Sequence, residues 1–174
     1  MSQGVVVWIT GLPSAGKSTL AEQLHAMLDA RGAKACVLDG DAVRKSLSPA
    51  PGYSAGERAN FYETLARLAA LLAAQGLVVL VPATAHRRAF RERARELCPA
   101  FFEVWVDTPL AECVKRDAKG LYAASRTGGA TSVPGSDEAY EPPTQPDFTA
   151  HGTTEQAELE RFVDQLTRAQ GVRV

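Results

Sequence analysis

Cysteine is scarce in this chain, with only Cys36, Cys98 and Cys113 among 174 residues. They are odd in number, far apart and without metal-type spacing, which argues against a disulfide framework or a zinc module. Buried, reduced thiols in a cytoplasmic protein are the expectation. An excess of charge of one sign is also missing. Nineteen Lys and Arg against twenty Asp and Glu leave a formal charge of −1, so the molecule as a whole offers no attraction to nucleic acid or an anionic membrane, and any anion site must be local. Long hydrophobic runs are lacking too. The most apolar stretch, Leu65 to Ala85, is broken by Arg67, Gln75, Gly76 and Pro82, and its periodicity changes at Gly76, which reads as helix then strand rather than a membrane span. Met1-Ser2-Gln3-Gly4 precedes only a short apolar run, without the basic region and cleavage site of a signal peptide. There is no internal repeat, and the length suits one domain over 1–174.

What is present begins at residue 5. The strand-like run Val5-Val6-Val7-Trp8-Ile9-Thr10 leads into Gly11-Leu12-Pro13-Ser14-Ala15-Gly16-Lys17-Ser18-Thr19, and an amphipathic helical pattern follows from Leu20. This is G-x-x-x-x-G-K-[ST] in its structural context, a strand before it and a helix after it. The backbone N–H groups of such a loop wrap a phosphate chain, and the helix turns its positive end toward the same anion. Lys17 is placed to reach the terminal phosphates and Ser18 to hold Mg²⁺.

Leu20, Leu24, Met27 and Leu28 recur at helical spacing, with Gly32 at a C-cap position. A second strand, Ala35-Cys36-Val37-Leu38, ends in Asp39-Gly40-Asp41, so carboxylates stand at the carboxyl end of a strand, where open α/β sheets build their sites. A short helix through Val43 to Leu47 follows. Ser54 with Glu57 forms a capping-box signature for a long helix ending near Gln75. Leu77–Val81 and Phe101–Asp107 read as third and fourth strands, with Arg88–Leu97 as a helix between them, and Leu110–Arg116 as a helix after Pro109. Residues 117–152 are rich in Gly, Pro, Ser and Thr and lack periodicity, as a functional loop does. A last helix spans Glu155 to Ala169. The alternation predicts an α/β fold, a doubly wound parallel sheet of the P-loop NTPase type with helices on both faces and a lid segment at about 117–152.

The phosphate loop alone does not separate a kinase from a GTPase, an ATPase or a binding module. Asp-x-x-Gly and Asn-Lys-x-Asp motifs, which a GTPase would carry, are absent. Asp39-Gly40-Asp41-Ala42-Val43-Arg44 instead brings two carboxylates and an arginine beside the loop, the positioning and charge neutralisation that phosphoryl transfer needs. Asp41 could take the proton from a substrate hydroxyl or orient a metal-bound water. Asp39 could serve the site or cap the next helix. Arg87, Arg88, Arg91 and Arg95 read as a solvated helix face. Trp8 and Trp105 read as core, and His86 as a helix-start or packing residue.

These motifs resemble adenylylsulfate kinases, which phosphorylate the 3′-hydroxyl of adenosine 5′-phosphosulfate with MgATP. The resemblance is carried by Gly11–Thr19, Leu38–Arg44, Gly52-Tyr53-Ser54 with Glu57-Arg58, Val104–Leu110, Arg116–Tyr122 and Tyr140-Glu141-Pro142. It implies ATP and Mg²⁺ as cofactors, a homodimer, and Lys17 and Asp41 as catalytic residues. ATP would lie on Gly11 to Thr19 and Arg116, with Ser18 and Asp41 at the metal. Asp39, Arg44, Tyr53, Arg58, Phe61, Thr84, Ala85, Lys119 and Val133 would face the acceptor, Tyr53 packing on its base, and Arg116, Lys119 and Arg126 would belong to the lid. Three positions depart from the family pattern: Phe61 where Asn is usual, Thr84-Ala85-His86 for Ile-Ser-Pro, and Val133-Pro134-Gly135 for Phe-Thr-Gly. A related kinase for another hydroxyl and a non-catalytic nucleotide-binding module are the alternative readings.

Overall fold

The computed structural model describes residues 4–98, 100–128 and 132–171. In chain order the elements are β1 (Val5–Thr10), α1 (Lys17–Ala30), β2 (Ala35–Val37), α2 (Gly40–Ser46), α3 (Ala55–Ala73), β3 (Val78–Pro82), α4 (Arg88–Leu97), β4 (Phe101–Val106), α5 (Leu110–Arg116), α6 (Leu121–Arg126), β5 (Phe148–Ala150) and α7 (Gln156–Gln170). The five strands form one parallel sheet in the order β2-β3-β1-β4-β5. The order reverses beside β1, and ligand crevices open at the carboxyl ends of strands at such a switch point.

Strand pleating divides the core into two layers. Val5, Val7 and Ile9 of β1 and Val78 and Leu80 of β3 pack with Leu20, Leu24 and Leu28 of α1 and Leu159, Phe162 and Leu166 of α7. The alternate residues, Val6, Trp8, Val79 and Val81, pack on the opposite face with Phe61, Leu65 and Ala69 of α3 and Ala94 of α4. Because both faces are covered, β1 and β3 read as continuous apolar runs without alternation. The capping box forms as expected, Ser54 Oγ accepting from Glu57 N–H while the Glu57 carboxylate accepts from Ser54 N–H. Among the described residues no helix is long and apolar enough to cross a membrane.

Several expectations need correction. The stretch read as irregular contains α6 and the edge strand β5, whose three residues sit within Pro-, Thr- and Gly-containing sequence and are fixed by pairing with β4. Cys98 and Cys113 are buried, but Cys36 is only half-buried. Trp8 is core, whereas Trp105 is half-buried and borders a second cleft.

Arg91 is not on a solvated face. Its side chain is 1% exposed. Nε donates to Glu103 Oε1 of β4 at 2.7 Å, Nη1 to the Ala85 carbonyl, and Nη2 to the Glu141 carbonyl at 2.6 Å. One guanidinium therefore joins α4, β4, the turn after β3 and the segment leading to β5. Replacing Arg91 with Ala strands the Glu103 carboxylate and two carbonyls, so urea unfolding is expected to show a loss of about 3–5 kcal/mol. A loss below about 1 kcal/mol would mean that this hub is dispensable.

Candidate active site

The loop from Gly11 to Gly16 turns tightly at the end of β1. A Cβ on Gly11 would fall 2.8 Å from the Val106 carbonyl, and Gly16 has φ +106°, so both positions require glycine. Ser14 also adopts positive φ, at 61°. The first N–H groups of α1 have no intrahelical partner and point to where an anion would sit. Lys17 Nζ meanwhile donates to the Gly11 carbonyl at 3.0 Å and the Leu12 carbonyl at 2.8 Å. Burial, with the Lys119 charge adding to it, lowers its pKa to about 7. A bound polyphosphate would replace those carbonyls with a stronger partner.

Asp39 does two things at once. Oδ1 accepts the Ala42 N–H at 2.9 Å, capping α2, and Oδ2 accepts from Ser18 Oγ at 3.1 Å. The capping reading of Asp39 holds, and the same carboxylate also reaches the residue after Lys17. Asp41, expected at the metal with Ser18, forms an ion pair with Lys119. Both partners are more than half exposed, at 54% and 59%.

The loop, the start of α2, the turn after β3 and the lid segment enclose a cleft of about 460 Å³, a volume suited to small-molecule ligands. Of the anticipated residues, Pro13, Ser14, Gly16, Lys17, Ser18, Thr19, Asp39, Asp41, Arg44, Tyr53, Arg58, Phe61, Thr84, Arg116, Lys119 and Val133 line it. Gly11, Leu12 and Ala15 do not. They shape the loop from behind: the Ala15 carbonyl accepts from Thr108 Oγ1 and Arg116 Nη1, and a Cβ on Gly135 would lie 2.6 Å from Leu12 Cδ2. Ala85 is also outside the cleft. It is fully buried, with φ +40°, and donates its N–H to the Tyr62 hydroxyl. Arg126 lies exposed near the end of α6, its Nε directed at the Tyr122 carbonyl.

In the same cleft, the Arg44 guanidinium lies against two rings, 4.0 Å from the Phe61 centroid and 4.5 Å from that of Tyr53. Its Nη1 donates to the Gly52 carbonyl at 2.8 Å. Phe61 is therefore the platform beneath Arg44, a cation–π partner, and its face is covered. Arg58, with a side chain 7% exposed, donates from Nε to the Tyr53 carbonyl at 2.9 Å and from Nη2 to the Ser132 carbonyl at 2.5 Å. Its Nη1 lies 3.2 Å from Glu138 Oε2. Sequence reading missed Glu138, which sits in a stretch without periodicity, and gave no role to Tyr122, whose hydroxyl donates to the Pro13 carbonyl at 2.9 Å. His86 is buried as a packing residue, edge-on to Phe90.

A phosphate loop before a helix, carboxylates just after the second strand and buried arginines across one cleft define a P-loop phosphotransferase. The chain belongs to the adenylylsulphate kinase family, whose model matches residues 3–151. It is 38% identical over 167 residues to an adenylyl-sulfate kinase of Picosynechococcus, covering 95% of this chain and 94% of that protein. With an adenylyl-sulfate kinase of Yersinia pestis it shares 43% identity over 152 residues, 86% of this chain and 71% of that one. The Mycobacterium tuberculosis APS kinase, solved in complex with AMPPNP and APS, superposes with a TM-score of 0.86 at 36% identity, covering 97% of this chain and 98% of that chain.

Lys17→Ala removes the cation at the centre of the loop. The nucleotide dissociation constant, measured by calorimetry, is expected to rise at least about tenfold, the scale of a hydrogen bond to a charged group. Unchanged affinity would contradict the phosphate-loop assignment.

Proposed function

We propose that this protein transfers the γ-phosphoryl group of ATP to the 3′-hydroxyl of adenosine 5′-phosphosulfate. The reading rests on one arrangement above all: Lys17 and Asp41 face the same cleft that Arg44 and Arg58 line. It is supported by family membership and by the neighbour solved with AMPPNP and APS.

In this mechanism the loop amides and Lys17 hold the β- and γ-phosphates and neutralise charge spread over the transferring group. Asp41 accepts the 3′-hydroxyl proton as that oxygen bonds to the γ-phosphorus. The bond from the γ-phosphorus to the bridging oxygen breaks, and ADP leaves with the electron pair. Substrate entry frees Asp41 from Lys119, which turns to the phosphates. Arg44, stiffened between Tyr53 and Phe61, meets the acceptor's anionic oxygens, a task for which a planar fork of donors is suited. Closure of the lid segment over the cleft excludes water and so prevents wasteful hydrolysis.

Mg²⁺ enters as part of this proposal. Among the described residues no group of three or more His, Cys, Asp or Glu could hold a metal by itself. That agrees with a cation that keeps several waters and takes its other ligands from nucleotide phosphates. The hydroxyl–carboxylate pair of Ser18 and Asp39 supplies hard oxygen donors beside the loop and would hold it, with Asp41 left to the proton. When bound, Mg²⁺ neutralises charge on the phosphates.

A coupled ADP-release assay with a panel of acceptors tests the reading. Turnover specific to adenosine 5′-phosphosulfate is expected, and turnover with a different alcohol would reassign the acceptor. In Asp41→Asn, kcat is expected to fall roughly 10²- to 10⁴-fold, the range for loss of a general base, with ATP affinity within several-fold of wild type. Equal loss of both would show that Asp41 is not the general base. The family resemblance also leads us to propose a homodimer. Light scattering is expected to give twice the chain mass of 18.6 kDa, and a single-chain mass would refute it.

A further inference from the structure

Glu138 is the one carboxylate, among the described residues, that meets Arg58, and it does so from outside the cleft. Arg58 lines the cleft, whereas Glu138 lines the separate cavity on the other side of the lid segment, with Trp105, Asp107 and Tyr140. Each Glu138 oxygen is engaged. Oε2 lies 3.2 Å from Arg58 Nη1 of α3 and accepts from Ser132 Oγ at 2.7 Å. Oε1 lies 2.7 Å from Nε2 of His86, in the turn after β3. That approach is off the line of a strong hydrogen bond, and among the described residues His86 Nδ1 has no partner. One side chain thereby gathers the lid, α3 and the turn after β3.

From this geometry we infer that Glu138 is a positioning residue for acceptor recognition, holding Arg58 and Ser132 so that the Arg58 guanidinium faces the cleft in one orientation. The inference rests on the proposed acceptor role of Arg58.

Two effects of the carboxylate oppose each other, and the contacts decide between them. Its negative charge weakens the pull of Arg58 on an anionic acceptor, but removing it frees Ser132 as well as Arg58. The remaining Arg58 bonds, to the Tyr53 and Ser132 carbonyls, lie on segments that are not helix or strand. One of those carbonyls belongs to the residue that Glu138 itself holds. Net charge on the carboxylate is secured: burial pushes its pKa up, but Ser132, His86 and Arg58 outweigh burial and bring it below the usual value. The positioning effect therefore dominates, because a buried fork that must match oxygens in a plane loses most when its orientation is lost.

The experiment uses steady-state kinetics of the full chain as wild type, Glu138→Gln, Glu138→Asp, Arg58→Ala and the double variant Arg58→Ala with Glu138→Gln. Glu138→Gln keeps the size of the side chain and removes its charge. The expected result is an acceptor KM raised about tenfold, in line with loss of a charge-assisted bond, with the KM for ATP within about twofold and kcat within about threefold. Glu138→Asp should recover part of the loss. In the double variant, Glu138→Gln should add little to Arg58→Ala, since both act through one guanidinium. An unchanged or lowered acceptor KM in Glu138→Gln would overturn the inference, as would full additivity or an equal rise in both KM values. Failure of the underlying reading looks different. If wild type turns over another acceptor, the same comparison is made with that acceptor. If wild type turns over none, the functional reading and this inference fall together.

Discussion

The start of α1 is the constraint on which the molecule is arranged. A helix beginning at Lys17, just after the end of β1, leaves N–H groups that need an anion or water, and it holds a half-buried lysine beside them. Lys17 donates to the Gly11 and Leu12 carbonyls. Nearly every functional segment is referenced to that loop: Asp39 through Ser18, Arg116 through the Ala15 carbonyl, Tyr122 through the Pro13 carbonyl, and the Ala118 amide through Ser14 Oγ at 3.2 Å. The lid and the start of α2 are thus tied directly to the phosphate loop.

The proposed acceptor side is built differently, from buried arginines with partners already in place. Arg44 is clamped by two aromatic rings and Arg58 by carbonyls and a carboxylate. Immobilising long side chains in advance reduces the conformational entropy lost on binding. The departures from the family pattern fall within this scaffold. Phe61 supports Arg44, Ala85 shapes the turn after β3, and Val133, 3% exposed, anchors the lid on the first core layer. His86 meets Glu138 across the lid boundary.

The phosphate loop, the sheet and the helices on its two faces were legible because local rules and tertiary structure agree there: β-branched runs for buried strands, 3.6-residue periodicity, a capping box at Ser54. β5 was hidden because three residues carry no periodicity, and only the edge of β4 makes them a strand. Arg91 was misread because charge alone indicates solvent, whereas Glu103 and the Ala85 and Glu141 carbonyls come from distant parts of the chain. Ala85 follows the Thr84 that does line the cleft, and a left-handed turn separates their environments. Asp39 was half legible, since its capping role is local while its bond to Ser18 spans 21 positions. Glu138 belongs to the same class, with partners 80 and 52 residues away at Arg58 and His86.

The proposed function comes down to a single cleft that would hold a triphosphate on the loop and an acceptor alcohol beside Asp41. The decisive test is a crystal structure with a non-hydrolysable ATP analogue and adenosine 5′-phosphosulfate. Lys17 should be withdrawn from the Gly11 and Leu12 carbonyls onto the phosphates, with the 3′-hydroxyl within hydrogen-bonding distance of the Asp41 carboxylate. A nucleotide bound away from the loop, or an acceptor hydroxyl out of reach of Asp41, would refute this arrangement.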